Sequence, residues 1–192
     1  MEISKHKTFQ VLPDPMTLGD RYNPVYIKDN YFCVINVADS PCGAFIYNKF
    51  DIQSYWFPIH EIGQWGYSPF YGTAKILDYR NSLNDPRPIL IHCHAGVNRS
   101  RCVAHAILEA EGLENDLGVE KLFDRNIRNG YIPHDVIAFL KQRHINKTYS
   151  ICGLLKEINS PNLIYKKNIE ESSTSNQRIR KIEMYNDNDK TF

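Results

Sequence analysis

A cysteine followed six residues later by an arginine is the first feature of this chain that could do chemistry. The two residues belong to one short segment, His92-Cys93-His94-Ala95-Gly96-Val97-Asn98-Arg99-Ser100. A cysteine thiolate is a strong nucleophile. An arginine guanidinium can hold two oxygens of a phosphate at once, which lysine does less well. The pair therefore predicts a reactive sulfur facing a bound oxyanion.

The residues on either side of this segment predict how it is positioned. Residues 88–92 form an apolar run typical of a strand buried on both faces in a parallel sheet. Residues 100–111 are apolar on almost every side, which predicts a central buried helix. A loop that enters a helix N-terminus offers backbone N–H groups and the positive end of the helix dipole. That field binds phosphate and favours thiolate over thiol at Cys93.

The remaining patterns predict an α/β layered domain. Strands are expected at 31–38 and 54–59, and helices at about 71–83, at 117–128 and from Pro133 onwards. Strands that alternate with helices in this way are typical of a mostly parallel sheet flanked by helices.

The pattern His92-Cys93-x-x-Gly96-x-x-Arg99-Ser100 resembles the phosphate-binding loop of the cysteine-dependent protein phosphatases. The order of elements over residues 25–145 is most similar to that of the compact dual-specificity phosphatases. The resemblance implies a central, mostly parallel twisted sheet flanked by helices and no metal or organic cofactor. It implies a phosphorylated protein substrate that carries phosphotyrosine, phosphoserine or phosphothreonine.

The same resemblance implies a role for each residue of the segment. Cys93 would attack phosphorus to form a cysteinyl-phosphate, and Ser100 would assist release of the thiolate. His92 would support the cysteine from the strand. The phosphate oxygens would be bound by the rest of the loop, which comprises His94, Ala95, Gly96, Val97, Asn98 and Arg99.

The general acid departs from the family pattern. Relatives carry an aspartate about thirty residues before the cysteine, whereas Glu61 stands 32 residues before Cys93. Glutamate can perform the same proton transfer, but its extra methylene moves the acid by roughly an ångström or more unless the loop compensates. His60 is an alternative proton donor, while Asp51 and Asp78 are expected to be less well placed.

Three other interpretations remain open at this stage. A metal site would use His92 and His94, but no second cluster of ligands completes it. A phosphatase for a non-protein substrate is an alternative. An RNA 5′-triphosphatase is one example, because relatives with that activity also have an asparagine before the loop arginine, as Asn98 is here. A pseudophosphatase that binds phosphorylated partners without turnover is the third, and Glu61 in place of aspartate keeps it open.

Composition limits the rest of the interpretation. The chain has 192 residues and a formal net charge of +1, so bulk attraction to nucleic acid or to an anionic membrane is not expected. Its five cysteines lack paired spacing, and neither a secretory signal nor a membrane-spanning segment is visible. We expect a cytoplasmic protein with a catalytic domain over residues 1–158 and a polar extension over residues 159–192. The sequence gives no indication of the oligomeric state.

Overall fold

The computed structural model describes residues 4–5 and 7–143. Five strands and six α-helices follow one another as β1 Ser4–Lys5, β2 Phe9–Leu12, α1 Pro24–Asn30, β3 Val34–Asn36, α2 Ala44–Lys49, β4 Ser54–Trp56, α3 Ser68–Ser82, β5 Ile89–His92, α4 Arg99–Glu111, α5 Glu120–Arg128 and α6 Val136–Gln142. Two short 3-10 turns, Pro15–Thr17 and Gly19–Tyr22, lie between β2 and α1. The architecture is the predicted α/β sheet with flanking helices.

The sheet has the strand order β1-β2-β5-β3-β4, in which all neighbours are parallel except β1 and β2. β5 lies between β2 and β3, and all four of its residues are buried. The prediction of a central strand covered on both faces is therefore confirmed. Because the parallel strands all end at one edge, the segments that follow β2, β3, β4 and β5 meet there.

Helices flank this sheet. Leu90 of β5 packs in one cluster with Ile27 of α1 and Tyr47 of α2. α4 packs against β2 and β5 and also contacts α3, α5 and α6. Ten of its thirteen residues are buried, so α4 is the central buried helix that its apolar sequence predicts.

Several element boundaries differ from the sequence-based expectation. Helix α5 begins at Glu120, three residues after the predicted start, because Gly118 adopts a left-handed φ of +63° that interrupts the helix. α6 begins at Val136, after a turn that starts at Pro133. β1, β2, α1 and α2 were not predicted from the sequence.

The predicted boundary between residues 158 and 159, and the polar extension beyond it, lie outside the described residues. Within the described part of the chain, no helix is both long and apolar enough to cross a membrane.

Candidate active site

Cys93 follows directly after β5 and is buried, with 3% of its surface exposed. Its Sγ lies 3.3 Å from Oγ of Ser100, in the first turn of α4. Six residues join β5 to α4, so the sulfur at the end of the strand lies next to the N-terminus of the helix. The hydroxyl is thus placed to stabilise negative charge on the sulfur by donating a hydrogen bond.

Gly96 lets the loop pass against the end of β2. Its φ is +64°, and a Cβ added there would lie 2.4 Å from the backbone of Leu12 and Pro13. The backbone N–H of Asp14 donates to the carbonyl of His94 at 2.9 Å and holds the same two segments together. Both the positive φ and the close approach require glycine at this position.

The side of the loop next to the helices is held by further hydrogen bonds. Asn126, which is buried on α5, donates through Nδ2 to Oδ1 of Asn98 at 2.7 Å. The guanidinium of Arg101 donates to the carbonyl of Gly96 at 3.1 Å and to that of Leu117 at 3.4 Å. These contacts fix the path of the loop independently of any ligand.

Arg99 is the first residue of α4 and is 5% exposed. Its Nη1 donates to the backbone carbonyl of Ile59 at 2.8 Å and lies 3.6 Å from Oδ1 of Asp39. The guanidinium is therefore held between the segments that follow β3 and β4. Ala95 and Val97 are exposed and complete the loop with apolar side chains.

The two histidines of the segment contact different groups. His92 is fully buried, and its Nε2 lies 3.4 Å from the hydroxyl of Tyr47. Burial lowers the pKa of His92 to about 4, so the imidazole is neutral at physiological pH. His94 is exposed, and its Nε2 lies 2.7 Å from Oδ1 of Asp39. Among the described residues, no group of three or more His, Cys, Asp or Glu side chains could hold a metal ion.

Glu61 belongs to an exposed segment between two buried residues. Ile59 is 2% exposed and contacts Arg99 through its carbonyl, whereas Trp65 is 3% exposed and donates its backbone N–H to the carbonyl of Tyr131. Residues 60–64 between them are all exposed. Glu61 makes no hydrogen bond or ion pair with any other described residue.

The other acidic candidates lie in different environments. Asp51 precedes β4, at the opposite edge of the sheet, and pairs with Lys28 at 3.6 Å. Asp78 on α3 pairs with the buried Arg143 at 3.1 Å. Glu61 and His60 are therefore the acid candidates whose segment contacts Arg99.

Asp39 is a site residue that the sequence analysis missed. It follows β3, which lies beside β5, and its carboxylate contacts both His94 and Arg99. The hydrogen bond from His94 is the main cause that holds the pKa of Asp39 below its usual range. The adjacency of strand ends in a parallel sheet was the available signal, but the strand order is needed to use it.

Comparison with protein-family models finds no match, and comparison with curated proteins finds no significant match. Solved structures do match. A structure of Tk-PTP in the active form is 17% identical, with coverage of 72% of this chain and 94% of that one and a TM-score of 0.47. PTP-2 phosphatase from Cydia pomonella is 17% identical, with coverage of 73% and 88% and a TM-score of 0.47. DUSP15 is 15% identical, with coverage of 77% and 97% and a TM-score of 0.47.

Proposed function

We propose that the protein is a cysteine-dependent phosphatase. The observation that carries this proposal is the joint placement of Cys93, Ser100 and Arg99. A buried sulfur ends a central parallel strand, and both the serine and the arginine project from the first turn of the helix that faces it. Such an arrangement can bind a phosphate group and attack it from one side.

The first chemical step forms the phosphoenzyme. The thiolate of Cys93 attacks phosphorus, a sulfur–phosphorus bond forms, and the bond from phosphorus to the leaving oxygen breaks. Arg99 and the loop N–H groups bind the other three oxygens, where negative charge develops. The carboxyl group of Glu61 donates its proton to the leaving oxygen.

The second step regenerates the enzyme. A water molecule gives a proton to the carboxylate of Glu61 and attacks the phosphocysteine. The sulfur–phosphorus bond breaks, inorganic phosphate leaves, and the hydroxyl of Ser100 stabilises the released thiolate by a hydrogen bond. One carboxyl can serve both steps, because the proton that it loses in the first step is the one that it takes from water in the second.

The proposed substrate is a phosphorylated protein residue. Of the variable loop positions His94, Ala95, Val97 and Asn98, only His94 can titrate, and it pairs with Asp39, which does not suit a substrate with several phosphates. Asn98 also accepts a hydrogen bond from Asn126 inside the protein. Its presence is therefore explained by the packing of the loop and does not favour the RNA 5′-triphosphatase.

An activity assay tests the proposal. The purified chain is expected to release phosphate from an aryl phosphate and from a phosphotyrosine peptide faster than from a 5′-triphosphate RNA. Cys93→Ser should abolish turnover, while Cys33→Ala, a change at the buried cysteine directly before β3, should retain it. Oxyanion binding through Arg99 without any hydrolysis would instead establish a pseudophosphatase, and preferential hydrolysis of RNA would reject the protein substrate.

A further inference from the structure

The carboxylate of Asp39 lies close to the position that a substrate phosphate would occupy. Its Oδ1 is 3.6 Å from Nη1 of Arg99, the guanidinium that is proposed to grip the phosphate oxygens. The arginine side chain is 6% exposed, whereas that of Asp39 is 38% exposed, so the carboxylate stands at the mouth of the site. A bound phosphate dianion and Asp39 would share one cation.

Two negative groups beside one guanidinium oppose each other. A carboxylate this near to Arg99 both competes for its hydrogen-bond donors and repels the incoming dianion. The repulsion is partly screened because the site mouth is open to solvent. Left without a partner, Asp39 would therefore weaken phosphate binding.

His94 is placed to offset that charge. Its Nε2 lies 2.7 Å from Oδ1 of Asp39 and 3.4 Å from the hydroxyl of Ser40. On the other side of the ring, Nδ1 lies 3.5 Å from Sγ of Cys42. These three neighbours on the segment after β3 orient the imidazole toward the carboxylate.

We propose, on the basis of the proposed phosphatase function, that Asp39 and His94 form a charge-compensating pair that sets the affinity of the site for a phosphate dianion. Asp39 orients the guanidinium of Arg99 and lowers its attraction for phosphate. His94 orients Asp39 and offsets part of its negative charge through the hydrogen bond between Nε2 and Oδ1, which restores that attraction. Both are positioning residues, and neither takes part in bond making or breaking.

Equilibrium binding of inorganic phosphate to the full chain tests the pair, at one pH and one ionic strength. Asp39→Asn keeps the shape and removes the charge, so phosphate should bind about three- to tenfold more tightly. His94→Asn leaves the carboxylate without its partner, so binding should weaken by about the same factor. In the double variant the effect of the histidine change should largely disappear, because its target charge is gone.

Asp51→Asn is the matched control. Asp51 also pairs with a cation, Lys28 at 3.6 Å, but lies at the opposite edge of the sheet, and its positive φ of 54° is accepted by asparagine. This variant should bind phosphate as the original chain does. Thermal unfolding of each variant verifies that it is folded.

The outcomes separate this inference from the proposed function. If the original chain binds phosphate and both single changes weaken binding, or neither alters it, the pair is only structural and the inference is wrong. If the original chain binds no phosphate at all, the proposed function fails and the inference fails with it. Opposite shifts for the two single variants support it, because general loosening of the loop would move both in the same direction.

Discussion

The proposed phosphate-binding loop, residues 92–100, and the proposed acid segment, residues 60–64, are held in opposite ways. The loop is fixed by contacts with β2, α4 and α5, and its cysteine and arginine are buried. The proposed acid segment is exposed throughout, and the buried Ile59 and Trp65 lie at its two sides. Preorganised donors stabilise charge without reorganising, whereas an acid must reach two different oxygens in two steps. The contrast teaches that the proposed binding half of this site is held by contacts with neighbouring elements, whereas the proposed proton-transfer half has few such contacts.

The largest expected effect comes from the rigid half. Arg99→Lys keeps the charge but loses the planar fork and the bond to the carbonyl of Ile59, so kcat/KM should fall by about 10²- to 10³-fold. Steady-state kinetics with an aryl phosphate measure the loss. Arg101→Lys alters the cation two residues further along α4 and should lower kcat/KM far less. An equal loss would show that Arg99 has no special role.

The acid segment should respond more selectively. Glu61→Gln should lower kcat by about 10²-fold for an aryl phosphate with a poor leaving group and have little effect for a good one. The difference arises because a good leaving group departs without a proton. His60→Gln serves as the matched neighbour. If it reproduces the pattern and Glu61→Gln does not, the histidine is the acid.

Substitutions in the proposed acid segment and at Ile59 beside it should affect the free energy of unfolding differently. Ile59→Ala removes a side chain that is 2% exposed and should lower the free energy of unfolding by about 2–4 kcal/mol. Ile62→Ala, at a side chain 84% exposed, should change it by less than about 0.5 kcal/mol. Denaturant titration compares the two, and equal losses would mean that the segment is packed.

The last expected effect depends on pH and concerns His92, at the end of β5 before the loop. Burial lowers its pKa from the ordinary 6.5 to about 4, so between these values the unfolded chain binds a proton that the folded chain does not. Stability therefore falls as the pH drops through this window. The slope of the unfolding free energy against pH measures how many more protons the unfolded chain binds than the folded chain. His92→Gln should lower that number by up to about one. An unchanged slope would show that His92 is not buried neutral.

Local sequence was sufficient where one continuous segment forms the structure. The apolar strand, Gly96 and the buried helix are adjacent in the chain, and their order predicts a phosphate-binding loop with Cys93 and Arg99 in it. The structure places Ser100 within hydrogen-bond distance of the sulfur, as that order predicts. Glu61 could be proposed as the general acid only from its distance in sequence from Cys93. The pattern of apolar residues does not predict the conformation of an exposed segment.

The sequence by itself therefore determined the class of fold, the strand, loop and helix around Cys93, and the residues that could bind phosphate, since these depend on neighbours in the chain. Only the tertiary structure decided that Leu12 lies against Gly96, that the carbonyl of Ile59 meets Arg99, and that Asp39 pairs with His94. Each of those contacts joins residues 40 or more positions apart, and the order of strands in the sheet brings them together.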